Sequence, residues 1–140
     1  MKRIFVIFFG FLIAVLVILA CINWYKSWQT HKRYPTYSVM NFDLQGKQLK
    51  LLVADTEQKR EQGLMNIRKL EGVDGMIFIF PFKNMQNFWN KNTLMDLKLY
   101  WVNGKEVVGT SDLPSIEKSH TIVTVGSTKP VDIVIEIPKT

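Results

Sequence analysis

The chain is poor in cysteine and histidine. Cys21 is its only cysteine among 140 residues, which excludes an internal disulfide and leaves a cysteine-based zinc site without support. His120 is the only histidine after residue 35, and no carboxylates are grouped near it as further ligands. The sequence therefore predicts no metal site and no cofactor.

Acidic residues are missing from the first 36 positions, where five of the 18 basic residues lie. The overall net charge of +6 is therefore concentrated at the N-terminus. The remainder carries 13 basic and 12 acidic residues, a net charge of +1. A nearly neutral domain has no basic surface for a phosphate backbone, so we expect no nucleic-acid partner.

Motifs of catalytic centres are also missing. General acid–base chemistry needs two neighbouring carboxylates, or a histidine with an orienting acid. The spacing of Asp74, Asp96 and Asp112 brings no two of them together, and His120 has no companion motif. No G-x-S-x-G elbow and no glycine-rich phosphate loop occurs. The sequence predicts no catalytic residue.

A long uncharged segment begins the chain. Residues 4–22 contain no charge, and 19 residues at 1.5 Å per residue span a hydrocarbon core of about 30 Å. Trp24, Tyr25 and Trp28 follow, as in the aromatic belt of a membrane–water interface. A cleaved signal peptide has a shorter apolar segment and a small-x-small exit site. We expect an uncleaved signal-anchor helix over residues 1–25 and the domain on the extracytoplasmic side of the cell membrane.

Two further features belong to this region. The letters "ILAC" resemble a bacterial lipoprotein signal, which leaves anchoring at Cys21 as an alternative, although Leu19 is larger than the residue usual there. Residues 26–38 are polar and basic and contain Pro35, which predicts a tether without regular structure.

Residues 39–140 show the alternation of a β-rich domain. Gln45–Gly46 and Asn103–Gly104 each lie between two apolar segments and predict hairpin turns. Asp55 as N-cap and Gly63 as stop predict a short helix, and "MIFIFPF" predicts a buried strand that ends at Pro81. We expect an α+β fold: a small, mostly antiparallel barrel or curled sheet with one or two short helices.

Candidate contact residues cluster in two places. "FWNKNT" (residues 88–93) sets polar groups beside aromatic rings, and two arginines flank "GLM". The alternative is that Phe88 and Trp89 are core residues and that the polar groups hold a turn. The predicted ligand-binding residues are Arg60, Arg68, Trp89, Lys91, Asn92 and Thr93.

Three motifs in order resemble the domain of unknown function 192 family: an arginine before "GLM", then "GM-F-F", then "FWMKNT" leading into an apolar strand. The resemblance covers residues 53–108 and implies a compact β-rich domain, commonly secreted or membrane-anchored in prokaryotes, without an established reaction. Asn90 stands where the pattern has methionine. The matching residues are Arg60, Gly63, Leu64, Met65, Arg68, Gly75, Met76, Phe78, Phe80, Phe88, Trp89, Lys91, Asn92 and Thr93.

These observations favour a non-enzymatic, membrane-anchored binding or accessory module. Its partner would be a small ligand, an envelope glycan or a membrane protein, in addition to the membrane contacted by residues 4–22. One alternative is a hydrolase or lyase that acts on an envelope polymer. Another is a structural accessory subunit of a membrane complex, in which the anchor helix carries the contacts.

Overall fold

The computed structural model describes residues 2–139, with side chains from residue 12 onward. Two compact units divide after Pro35. The first is a single helix and the second is a β-rich domain. Each is considered by itself.

Helix α1 (Lys2–Arg33) forms the first unit. The part of this helix whose side chains are described, Leu12–Arg33, is long and apolar enough to cross a membrane and is not buried. An N-terminal helix of this kind is typical of a signal anchor or a signal peptide. The helix runs through residues 26–33, for which we had predicted no regular structure. This segment contains no glycine or proline before Pro35, and His31, Lys32 and Arg33 lie in the last turn, where cations complement the helix dipole.

Eight strands and two short helices form the part of the second unit that the structure describes, residues 36–139. The strands are β1 (Ser38–Leu44), β2 (Lys47–Ala54), β3 (Gly75–Asn84), β4 (Asn87–Trp89), β5 (Leu97–Asn103), β6 (Glu106–Leu113), β7 (Thr124–Gly126) and β8 (Val131–Pro138), and the helices are α2 (Glu57–Gln62) and α3 (Ile116–Ser119).

The main sheet has six strands in the order β1-β2-β3-β8-β5-β6, and β4 pairs with β7 in a small separate sheet. The β2–β3 pair is parallel, and the other neighbours in the main sheet are antiparallel. The predicted α+β class and the mostly antiparallel pairing are confirmed. The barrel alternative is wrong for the described residues, because β1 and β6 are each paired on one side only. The C-terminal strand β8 inserts between β3 and β5.

Local boundaries differ from the predictions at three places. Thr56, not Asp55, caps α2, and its side chain accepts a hydrogen bond from the Lys59 amide. The second hairpin turn is Gly104–Lys105, one residue later than predicted. Strand β3 continues beyond Pro81 because the pairing with β8 is irregular there, so that proline breaks no regular ladder. The Gln45–Gly46 turn and the Gly63 stop are confirmed.

The main sheet buries side chains on both faces. One face carries an aliphatic cluster that includes Leu49, Leu51, Ile77, Val102 and Ile135. Because alternate residues of a strand point to opposite faces, their neighbours form the second face. This is the face on which the candidate site lies.

The second face carries a buried acid among apolar residues. In β8, Glu136 pairs with Met76 of β3 on one side and Leu99 of β5 on the other. Both partners are fully buried. Phe78 and Trp101 continue the same face, opposite Val134.

Candidate ligand-binding cleft

Helix α2 and the turn after it cover one side of Glu136. The turn depends on Gly63, whose φ of 47° is rare for residues with a side chain. A Cβ at this position would lie 3.4 Å from the Phe78 ring. The close approach brings the buried Leu64 and the partly buried Met65 over the sheet. Glycine is therefore needed for the conformation, whereas a Cβ would make only an ordinary contact with the ring.

Arg60 fastens α2 to β3. Its Nη1 donates hydrogen bonds to the carbonyl oxygens of Asp55 and Ile79, both at 2.9 Å. The guanidinium carbon also lies 5.2 Å from the centroid of the Phe80 ring, within cation–π range. Arg60 thus has a structural role, because it joins α2 to β3.

Strand β4 supplies the other side with two aromatic residues in different roles. Phe88 packs edge-to-face on Phe78, with ring centroids 4.8 Å apart, and contacts Trp101 at 5.7 Å. Trp89 points the other way and is 45% exposed. Lys91 Nζ lies 5.1 Å from the centroid of the Trp89 ring. The core interpretation therefore holds for Phe88, whereas Trp89 is accessible.

The polar letters of "FWNKNT" form a tight turn after β4. The Thr93 amide donates to the Asn90 carbonyl at 3.0 Å, and Asn92 has a φ of 54°. Asparagine tolerates this left-handed conformation better than most residues. The Asn92 carbonyl accepts from the Asn66 amide at 2.8 Å, which ties this turn to the segment after α2.

Asn90 is a structural residue that the sequence analysis did not distinguish from its neighbours. It is fully buried, and its Nδ2 donates to the Pro114 carbonyl at 3.0 Å and to Ser119 Oγ at 2.8 Å. Its Oδ1 accepts from the Val123 amide at 2.8 Å. A methionine could form none of these strong hydrogen bonds. The departure from the family pattern at this position therefore has a function in this fold.

Glu136 is the residue that the sequence analysis missed. Only 4% of it is exposed, and burial raises the pKa of its carboxyl from 4.5 to about 8. Within the described residues, no hydrogen bond or ion pair reaches this carboxyl. Its cross-strand neighbours carry no charge that could compensate it.

The carboxyl borders a small cleft of about 30 Å³. At about 10–15 Å³ for each water molecule, this volume holds roughly two waters. The cleft lies between α2 with its following turn and the segment from β4 to Thr93. It is lined by Arg60, Glu61, Gln62, Gly63, Leu64, Met65, Phe78, Phe88, Trp89, Thr93 and Glu136.

The predicted contact residues do not all meet at this cleft. Arg60, Trp89 and Thr93 line it, and Lys91 is not in the lining but lies over the Trp89 ring. Thr93 is buried, and the exposed Asn92 shapes the turn. The structure thus brings together three of the six predicted residues.

Arg68 lies on a different and wider groove of about 510 Å³. It forms an ion pair with Glu117, with Nη2 2.8 Å from Oε1. Asp96 borders the same groove, where hydrogen bonds from Lys118 and then from the Ser115 amide lower the pKa of its carboxyl to about 2. The polar side chains described here are partnered, so this groove offers no counterpart to the unpaired carboxyl of the cleft, whose oxygen atoms are not sealed from solvent.

No cluster of three or more metal-ligating side chains occurs in the part of the chain that the structure describes. The residues that line the cleft with Glu136 bring one guanidinium, from Arg60, and the polar side chains of Glu61, Gln62 and Thr93, but no histidine or cysteine. The cleft can desolvate a small group, offer it a carboxyl and surround it with aromatic rings.

Comparison with known proteins identifies the family. The family model of domain of unknown function 192, described as "Uncharacterized ACR, COG1430", matches residues 40–140. This chain belongs to that family. The match includes the Glu136 strand, and the cleft lies wholly within the DUF192 domain.

Two solved structures resemble this DUF192 chain. One, from Sinorhizobium meliloti 1021, is provisionally named a transcription regulator; it is 26% identical, with a TM-score of 0.57, and the alignment covers 73% of this chain and 79% of that one. The other, a protein of unknown function from Novosphingobium aromaticivorans DSM 12444, is 20% identical with a TM-score of 0.55, over 74% of this chain and 82% of that one. No protein of curated function matches the chain. These similarities support the fold.

Proposed function

We propose that this protein is a membrane-anchored DUF192 domain on the extracytoplasmic side that binds a ligand in the Glu136 cleft without transforming it. The unburied apolar helix at the N-terminus supports the anchor. The ligand is a small molecule, or a small group carried by an envelope glycan or a protein, because the cleft holds only about 30 Å³.

The observation that carries this proposal is the unpaired Glu136 carboxyl. Burying an ionisable group without a partner costs several kcal/mol, and an apolar side chain of similar size would make a more stable sheet. Perturbed groups of this kind occur preferentially at functional sites. The carboxyl borders a cleft and is not sealed in the core, so a ligand can reach it.

The surroundings of the carboxyl are those of a recognition site. Trp89 is 45% exposed at the cleft, and large aromatic residues contribute strongly to binding energy. Arg60 is held by two carbonyl oxygens, and Phe88 is packed in the aromatic cluster. Both are therefore positioned before the ligand arrives, which lowers the entropic cost of binding.

The experiment uses the full-length protein in lipid nanodiscs. Soluble peptidoglycan fragments and a set of small amines, alcohols and sugars are titrated, and binding is measured by surface plasmon resonance. Trp89→Ala is expected to weaken binding at least about tenfold, as truncation of a central aromatic contact does. Ile122→Ala is the control, because Ile122 is also exposed but does not line the cleft. Equal affinities for the two variants, or no binding by any of these probes, would contradict the proposal.

A second candidate function is that of a hydrolase or lyase that cleaves an envelope polymer. The observation in its favour is the raised pKa of Glu136, because a carboxyl protonated near pH 7 can act as a general acid. Glu61 lines the same cleft and offers a second carboxylate. Release of soluble fragments from purified peptidoglycan by the wild-type protein, and its loss in Glu136→Gln, would favour this function over simple binding.

A further inference from the structure

The chemistry of the cleft restricts the ligand further. Glu136 is a potential negative charge at the cleft, with Met76 and Leu99 as its neighbours in the sheet. The cover over it supplies the rings of Phe88 and Trp89. A carboxylate beside aromatic faces is the combination that recognises an ammonium ion, through an ion pair and cation–π attraction.

The charged side chains around the cleft leave the Glu136 carboxyl without an ion-pair partner. From α2, Arg60 and Glu61 face the cleft with opposite charges, and the Arg60 Nη1 atom is hydrogen-bonded to two carbonyl oxygens. From the segment after β4, Lys91 lies over the Trp89 ring. The neighbouring positions on β3 and β5 contribute apolar side chains. Glu136 is thus the only carboxyl deep in the described cleft, and no cation of the described residues forms an ion pair with it, although Arg60 lines the same cleft.

We propose that the Glu136 cleft accepts a primary ammonium group carried by a larger ligand, such as a lysine side chain or an amino terminus. This inference rests on the proposed binding function and names the ligand class for the same site. The ammonium lies against the Glu136 carboxylate, and the attached methylene groups lie along Phe88 and Trp89. A primary ammonium with one methylene group replaces about two water molecules, which is the volume that the cleft has. A trimethylammonium group is too large for that space.

An ammonium forms an ion pair only with the ionised carboxylate. Because burial keeps the Glu136 carboxyl mostly protonated at neutral pH, binding of an ammonium depends on pH. With a pKa of about 8, the ionised fraction increases roughly fifty-fold between pH 6 and pH 8. An alkylamine stays protonated over this range, because its pKa is near that of lysine at about 10.4. The affinity for an amine is therefore expected to increase roughly fifty-fold between these pH values, and the affinity for an alcohol to stay constant.

The test uses full-length protein in nanodiscs and two probes that differ in one group: butylamine and butanol, each with a terminal fluorine, followed by fluorine NMR. We expect the amine to bind at pH 8 with a dissociation constant on the order of 1–10 mM, typical of a fragment of this size. The alcohol is expected to bind at least about tenfold more weakly, and the trimethylammonium analogue of the amine not to bind.

Glu136→Gln keeps the size of the side chain and removes its charge. In this variant we expect the amine to lose its preference over the alcohol and its dependence on pH. The pH dependence in the wild-type protein is a second readout that requires no variant. Equal binding of amine and alcohol to wild type, no binding of the amine, or an amine preference that survives Glu136→Gln would each overturn the ammonium assignment.

These results separate the two proposals. If amine and alcohol bind equally and Trp89→Ala weakens both, the cleft binds ligands and only the ammonium class is wrong. If the amine binds preferentially but Trp89→Ala has no more effect than Ile122→Ala, the site itself is misplaced and the proposed function is wrong as well.

Discussion

Replacement of Glu136 by glutamine is expected to change how the stability of the domain depends on pH. Folding raises the pKa of this carboxyl from 4.5 to about 8 by burial. The folded state therefore binds the proton more tightly than the unfolded state. The stability associated with this group is present in full below pH 4.5 and is lost as the pH increases through 8.

The size of this effect follows from the two pKa values. At about 1.4 kcal/mol for each pH unit, the free energy of unfolding lies below its low-pH value by about 1 kcal/mol at pH 5, about 3 kcal/mol at pH 7 and about 5 kcal/mol at pH 9, because the carboxyl ionises at lower pH in the unfolded chain than in the fold. Small domains are stable by only about 5–15 kcal/mol in total. The free energy of unfolding of the wild-type protein should therefore fall markedly over this range, and that of Glu136→Gln should lack this decrease.

The measurement is urea unfolding of the full-length protein in detergent micelles, followed by near-ultraviolet circular dichroism at pH 5, 7 and 9. Glu106→Gln is the matched control, because it removes an exposed carboxyl at the start of β6 and is expected to keep the wild-type pH dependence. If the curves for wild type and Glu136→Gln run parallel from pH 5 to pH 9, the carboxyl is solvated or paired. Glu136 would then not be the desolvated, unpaired group on which the proposed cleft depends.

Two further predictions concern the residues that hold the cleft in place. Asn90→Ala removes the buried amide that joins β4 to the segment around α3, and it is expected to lower the free energy of unfolding by about 2–4 kcal/mol, measured by thermal unfolding. Asn92→Gly, at an exposed position with positive φ, should lower it little. Similar losses for both variants would show that the amide network is unimportant. Gly75→Ala places a Cβ against the backbone oxygen of Glu136 and is expected to destabilise the domain by more than ~3 kcal/mol or to prevent folding. Gly109→Ala, where the new Cβ makes only an ordinary contact, should be recovered folded, and equal recovery of both variants would contradict the close approach of β3 and β8.

Part of the candidate site could be predicted from the sequence. The mixture of polar and aromatic letters in "FWNKNT" predicted contact residues in the segment that carries Trp89 and Thr93, and the arginine before "GLM" predicted Arg60; these three residues line the cleft. Arg68 has the same local context as Arg60 but lines another groove. Local sequence cannot separate the two, because distant partners hold them: Ile79 of β3 for Arg60 and Glu117 of α3 for Arg68.

Glu136 could not be assigned from its own strand. In "VDIVIEIP" it shares the parity of Asp132, so alternation suggests that both acids lie on a solvent-facing side. Asp132 is indeed near the surface, where it accepts a hydrogen bond from the Gly104 amide. Glu136, four residues later, is buried because α2 and the segment after β4 cover that end of the strand. The signal in the sequence is an acid within the apolar letters "IVIEI", and its burial depends on the elements that cover it.

By itself, the sequence determined the features that depend on neighbouring residues. These are the apolar N-terminal helix, the alternating strands, the Gln45–Gly46 turn, the short helix before Gly63 and the three motifs of the family. Tertiary structure alone decided that β2 and β3 run parallel and that β8 inserts between β3 and β5. Such pairings join residues far apart in the chain, and their energy comes from burying both faces of the sheet together and not from any local preference. That insertion places an acid in the interior beside a cleft, and the proposed function depends on it.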